Sequence, residues 1–270
     1  MACRDAYIFG ARMMSQAMGE NKEDISRVTV EPTVSRLIFG VDSRVEANDI
    51  LQNNLTLFEW ARRNKLYPSF WGRNIVGENR LTKEEIDFLH GKACRIAPVY
   101  SSSELKITED QGKAVGKEII DVARELGIPK GTAIFLEIAE NEDAFRDYML
   151  GFAETLIEEG YTPAFKANTD AKFSFDREYS RGMQTHRDIF EQCLVWAVAP
   201  SLEEYERITT THLIHPDNWV PFAPSGITRN DIAVWQYGKS CHPINDDAGK
   251  ETTFNINLIR NNMVIIGKMF

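Results

Sequence analysis

Thr132-Ala-Ile-Phe-Leu-Glu-Ile-Ala-Glu140 follows Gly127-Ile-Pro-Lys-Gly131. The run is apolar, too short for a buried helix, and preceded by turn residues. It therefore reads as a buried strand that delivers carboxylates to its end. Side chains alternate across a strand, so Glu137 and Ala139 share one face while Ile138 and Glu140 share the other. A bulge or a register slip of one residue would exchange Glu137 for Glu140.

Upstream, Arg36 to Ser43 reads as a strand carrying Asp42 near its end. Asn48 or Asp49 can cap a following helix, about 49 to 65. Tyr67 to Trp71 is the next strand. Thr82 precedes Glu85 by three residues, a capping-box spacing that opens a helix over Leu81 to His90. Arg95 to Tyr100 is a third strand, and Thr108 to Gly127 an amphipathic helix closed by glycine. Downstream, Ala144 to Glu159 reads as a helix and Tyr161 to Ala167 as a fifth strand. This alternation predicts parallel strands joined by right-handed crossovers. The pattern then changes. A polar helix, Asp176 to Gln192, precedes strands at Cys193–Ala199, Ile232–Tyr237 and Thr253–Ile259, with a long loop over 238–252.

The chain has 270 residues, 43% of them hydrophobic and 26% charged, which suits one large α/β domain. Its formal charge of -9, without a basic stripe, argues against nucleic acid and anionic membrane surfaces as partners. No stretch approaches the roughly 18 apolar residues of a membrane span, and no signal-peptide pattern opens the chain. These features predict a soluble, cytoplasmic protein and leave export by a signal-less route open. Cys3, Cys94, Cys193 and Cys241 form no CxxC pair and read as reduced, buried thiols. His212 and His215 could share a helical face but lack a third ligand at useful spacing, and Cys241-His242 with Asp246-Asp247 reads as loop. No Rossmann or Walker A fingerprint is present. Neither a metal nor a cofactor is expected.

Residues 1–35 differ from the remainder. Ile8, Ala11, Met14 and Met18 lie at helical spacing before Gly19-Glu-Asn-Lys-Glu-Asp24. They read as an N-terminal helical arm, packed on its own domain or used as a homo-oligomer contact.

Several motifs now line up: Phe39-Gly-Val-Asp42, Phe70-Trp-Gly-Arg73, Leu81-Thr82 with Glu85, Ile96-Ala-Pro-Val-Tyr100, Leu126 to Thr132, Gly160-Tyr161 and Trp235-Gln-Tyr237. In this order and spacing the chain resembles the glycoside-hydrolase-like domain of bacterial cell-wall proteins, a domain related in fold to the family 25 lysozymes. The resemblance covers about residues 36 to 260. It implies an α/β fold: a single TIM-like barrel over 36–270, with about five βα units followed by three strands with irregular connections. It also implies an active face at the C-terminal strand ends. Of the four acidic positions of those lysozymes, Asp42 and Glu137 match. The expected proton donor falls on Ala139 and the last-strand aspartate on Asn255.

Glycoside hydrolysis generally needs two carboxyl groups, roughly 5 Å apart for retention and about 6.5–9.5 Å for inversion, one of them protonated. Asp42 and Glu137 are the candidate catalytic pair, with Glu137 as acid because Phe135, Leu136 and Ile138 flank it. The same two residues could instead form ion pairs with Arg73 or Lys166 inside the barrel. Trp71, Tyr100, Trp235 and Tyr237 are candidate sugar-stacking residues at strand ends. Arg73 is a candidate clamp for a substrate carboxylate of a muramyl peptide, or a partner for Asp42. Two functions follow: hydrolysis or binding of cell-wall glycan, peptidoglycan included, or a non-catalytic, self-assembling structural or toxin-associated scaffold.

Overall fold

The computed structural model describes residues 37–101, 106–139, 143–202, 207–208, 219–243, 253–260 and 263–270. The expectations placed on the 1–35 arm, Glu140, the His212/His215 pair and Asp246-Asp247 lie outside these residues.

The strands are β1 (Leu37–Asp42), β2 (Phe70–Asn74), β3 (Arg95–Tyr100), β4 (Ala133–Ile138), β5 (Thr162–Ala167), β6 (Leu194–Leu202), β7 (Arg207–Ile208), β8 (Val234–Pro243) and β9 (Phe254–Arg260). Neighbours from β1 to β6 pair in parallel, and β6 also pairs in parallel with β8. β9 closes the circuit between β8 and β1, antiparallel to both. The result is a single eight-stranded α/β barrel, with β7 as a short addition beside β8. The inverted β9 has a simple consequence: its first residues lie at the end of the barrel where the parallel strands finish.

The helices are α1 (Leu57–Arg63), α2 (Lys83–Gly91), α3 (Glu109–Leu126), α4 (Arg146–Glu158), α5 (Ser174–Thr185), α6 (Arg187–Phe190) and α7 (Met263–Gly267). The first is shorter than the sequence suggests. Neither Asn48 nor Asp49 caps it; Thr56 does, in a reciprocal capping box with Glu59. Residues 50–56 form instead a small hairpin-like turn, with an Ile50–Thr56 bridge and Asn54 at φ 61°. At α2 the Thr82 hydroxyl accepts from the Glu85 amide as the spacing predicts, but the Glu85 carboxylate turns away from the cap. Strand β2 begins three residues later than expected and leaves Tyr67 exposed outside it. Strand β8 continues through Gly238–Pro243, where the sequence reads as loop.

Alternation along each strand separates two cores. Phe70, Ala97, Val99, Phe135, Ala164, Trp196, Val234 and Ile259 fill the barrel, where the Trp196 ring meets Phe135 edge-on at 5.1 Å. Their neighbours, among them Trp71, Ile96, Leu136, Phe165 and Trp235, face outward under the helices. The base of the barrel is plugged by Ile265, Ile266 and Met269. Phe270 and Ile96 exchange backbone hydrogen bonds there, and the Ala133 amide donates to the Lys268 carbonyl. The opposite end forms the mouth.

Helices α3 and α4 touch backbone to backbone. A Cβ on Gly112 would collide with the Tyr148 carbonyl, and one on Gly151 with the Glu109 carbonyl. Neither obstacle is a flexible side chain, so a methyl group must push the helices apart. Gly112→Ala and Gly151→Ala are each expected to lose about 1–3 kcal/mol in urea unfolding despite alanine's better helix propensity. Unchanged midpoints would show that the helices separate freely.

Candidate functional site

The mouth is built from inward-facing residues of five strands. Asp42 ends β1 and lies opposite Asn255 on β9; Gly40, one layer below, lies opposite Asn257. Glu137 on β4 lies beside Lys166 on β5, which lies beside Trp196 on β6. Lys166 is nearly enclosed, and its Nζ stands 2.8 Å from Asp42 Oδ2 and 3.0 Å from Glu137 Oε1. One ammonium thus bridges the two predicted carboxylates. Asn255 Nδ2 donates to Asp42 Oδ2 and Asn257 Nδ2 to Asp42 Oδ1, both at 2.8 Å. The Trp196 indole donates to Asn257 Oδ1, and its ring faces the Lys166 ammonium at 4.9 Å.

Burial by itself would lower the Lys166 pKa, but the charges of Asp42 and Glu137, and the hydrogen bonds to them, outweigh it. The ammonium is held above its ordinary value. Gly72 of β2 leaves the room this layer needs: a Cβ there would stand 2.6 Å from the Asp42 Cβ and 2.8 Å from the Trp196 ring.

Asp42 and Glu137 therefore come together as the sequence predicts. The remaining candidates do not join them. Trp71 is buried outside the wall, tilted against Phe58 at 5.7 Å, and its indole donates to the Ser43 hydroxyl. Tyr100 lies under α3 with its hydroxyl 3.4 Å from Glu118. Trp235 donates to the Ala199 carbonyl and packs against Trp219 and Tyr237, all on the outer side of β8. The expectation that these four aromatics line the mouth is corrected by strand alternation, because each neighbours an inward residue and so points out.

Arg73 is corrected on the same ground. It is fully buried outside the barrel and reaches neither Asp42 nor the mouth. Its Nε donates to both Glu85 oxygens, at 2.8 and 3.0 Å, and its other nitrogens to the carbonyls of Ser43, Arg44 and Asn79. Burial raises the Glu85 pKa against the opposing pull of Arg73 and of the Ala47 amide.

Of the two cations the sequence offers as inner-barrel partners for Asp42 and Glu137, Lys166 takes that place and Arg73 does not. The Lys166 signal is a lone cation inside the apolar run Thr162–Ala167. Asn257 and Gln236 have no signal beyond alternation. Among the described residues, no group of three or more His, Cys, Asp or Glu side chains is placed to hold a metal. No described helix is long and apolar enough to cross a membrane. Cys94 and Cys193 are buried, and burial pushes the Cys94 thiol up to about 12.

The fold is a closed α/β barrel with Asp42 and Glu137 at the end where its parallel strands finish. Residues 66–256 match the model of the Rv2525c-like, glycoside hydrolase-like domain, and the chain belongs to that family. Among solved structures, an uncharacterized B. stearothermophilus protein is 22% identical, with a TM-score of 0.70 over 86% of this chain and 100% of its own. It shares the fold. A family GH25 lysozyme from Aspergillus fumigatus is 11% identical, with a TM-score of 0.47 over 86% of this chain and 98% of its own. The catalytic domain of endolysin ply40 from bacteriophage P40 of Listeria monocytogenes has the same identity and TM-score, over 86% and 96%. Comparison with curated proteins finds no significant match.

Lys166→Met is expected to destabilise the barrel by about 3–5 kcal/mol, because it leaves the buried Asp42 carboxylate without its cation. A lysine with a raised folded-state pKa contributes stability that is complete below its unfolded value and lost only as pH climbs through the folded one. The gap between wild type and variant in urea melts should therefore stay constant from pH 6 to 9. A gap that closes across that range would show that Lys166 is not held as a buried ammonium.

Proposed function

We propose that this barrel binds bacterial cell-wall glycan at its mouth and does not cleave it. The observation that carries the reading is the Lys166 ammonium lodged between Asp42 and Glu137. A general acid near neutral pH needs an apolar or like-charged surround, and here a cation stands between the two carboxyls. The position where the resemblance puts the proton donor is Ala139, and Asp42 is tied by two asparagine amides as well. Loss of a general acid alone costs about 10²–10⁴ in rate. What stays open to sugar hydroxyls is the edge of this polar layer, where Glu137 and Asn255 are partly exposed. The choice of glycan as ligand rests on the glycoside-hydrolase-like family, and the cell-wall setting on the motif resemblance.

Hydrolysis by Asp42 and Glu137 is the second reading. Both carboxylates reach the same ammonium, so their near oxygens lie no farther apart than those two contacts end to end, closer than the roughly 6.5 Å at which inverting pairs begin.

One pair of measurements separates the readings: release of new reducing ends from purified peptidoglycan and chitooligosaccharides between pH 4 and 8, and calorimetric binding of soluble fragments of the same glycans. Binding without release is the expected result. Release by wild type that disappears in Glu137→Gln would replace the binding reading with the hydrolytic one. Neither binding nor release would remove glycan as the ligand.

A further inference from the structure

The aromatic rings that the sequence places at the mouth turn outward beneath the helices, yet another ring does stand at that end of the barrel. Among the described residues, the exposed Phe, Tyr and Trp side chains are Tyr67 and Phe222. Tyr67 precedes β2 and so lies towards the base. Phe222 lies at the opposite end, where its carbonyl accepts from the Thr169 hydroxyl at 2.8 Å. Thr169 is buried just past the mouth end of β5. It follows Lys166 by three residues, so their Cα atoms stand at most about 11 Å apart.

The segment that carries Phe222 is pinned on both sides. Upstream, the Trp219 ring meets Trp235 edge-on at 5.9 Å, and its indole donates to the Arg229 carbonyl. Downstream, the Ser225 amide donates to Asp176 Oδ1 at 2.7 Å, in the first turn of α5. Pro221 and Pro224 are buried on either side of Phe222, and their fixed φ angles stiffen the backbone between these anchors. Val220 and Phe222 are each 50% exposed. A constrained backbone thus holds an apolar ring in the open beside the charged layer.

We infer that Phe222 is a stacking platform for a pyranose ring of the bound glycan, an inference that rests on the glycan-binding reading above. A pyranose carries C–H bonds on the faces of its ring and most of its hydroxyls around the edge. Such a face laid on the phenyl ring takes apolar surface out of water while the hydroxyls stay hydrated. Because the platform is already fixed, a ligand does not bear the cost of ordering it. The contact lies outside the Lys166 layer, so the ligand that uses both places is an oligosaccharide: one unit meets Glu137 and another covers Phe222.

The test is isothermal titration of the full chain with the N-acetylglucosamine tetramer and with soluble peptidoglycan fragments. Wild type is compared with Phe222→Ala, Phe222→Trp and, as a control at the other end of the barrel, Tyr67→Ala. Thermal melts check each variant, and Phe222→Leu replaces Phe222→Ala if the latter does not fold. Phe222→Ala is expected to bind about five- to tenfold more weakly. Phe222→Trp is expected to stay within about twofold of wild type or to bind tighter, and Tyr67→Ala to match wild type. Wild-type affinity in Phe222→Ala would overturn the inference and leave glycan binding standing. An equal loss in Phe222→Trp would also overturn it, since the shape of the segment and not an aromatic face would then set the affinity. So would an equal loss in Tyr67→Ala. Failure of wild type to bind either glycan would remove the glycan-binding reading and this inference together.

Discussion

An ammonium inside a barrel is costly to desolvate, and the mouth is organised around meeting that cost at Lys166. Two carboxylates from different strands supply the countercharge, and the Trp196 ring lies alongside. Asp42 is in turn held by Asn255 and Asn257, and Asn257 by the Trp196 indole. A polar layer thus sits directly on an aromatic one, with β1, β4, β5, β6 and β9 all contributing. Such a network is stable only when it is fully satisfied.

A second buried ion pair lies on the other side of the β1 strand end. Arg73 donates to the carbonyls of Ser43 and Arg44, immediately after Asp42, and its partner Glu85 accepts from the Ala47 amide. The turn that leaves β1 is clamped from outside the barrel while Asp42 itself is clamped from inside. The two clusters resemble each other in composition but differ in role. One faces the opening, and the other is sealed beneath α2, where solvent and ligand do not reach.

The division between what could be read from residues and what could not follows this geometry. The barrel was legible because its strands are apolar runs bounded by glycine and proline, and because helical periodicity alternates with them. The Asp42–Glu137 pairing was legible because both residues lie in the last turn of alternation before the C-terminal ends of parallel strands. The aromatic expectations failed for a local reason: Trp71 and Trp235 each adjoin an inward residue, so a one-residue difference in register decides whether a ring lines the mouth or packs beneath a helix. The Glu85 carboxylate was misread because a capping-box spacing describes only the nearest partner, and a buried arginine from β2 competes for it. The partners of Asp42 come from a strand that runs backwards, and nothing in Asn255-Ile-Asn257 announces its direction.

That reversed strand also bears on how the molecule assembles. The bonds from Asn255 and Asn257 to Asp42 span 213 and 215 residues, and the bond from Lys166 spans 124. Contacts so distant along the chain form only after a long loop has closed, and such closures are slow. The site at the mouth therefore depends on the same event that closes the barrel. A partly folded chain can hold Asp42 on its first strand, but it has no complete charged layer until its ninth strand lies beside the first.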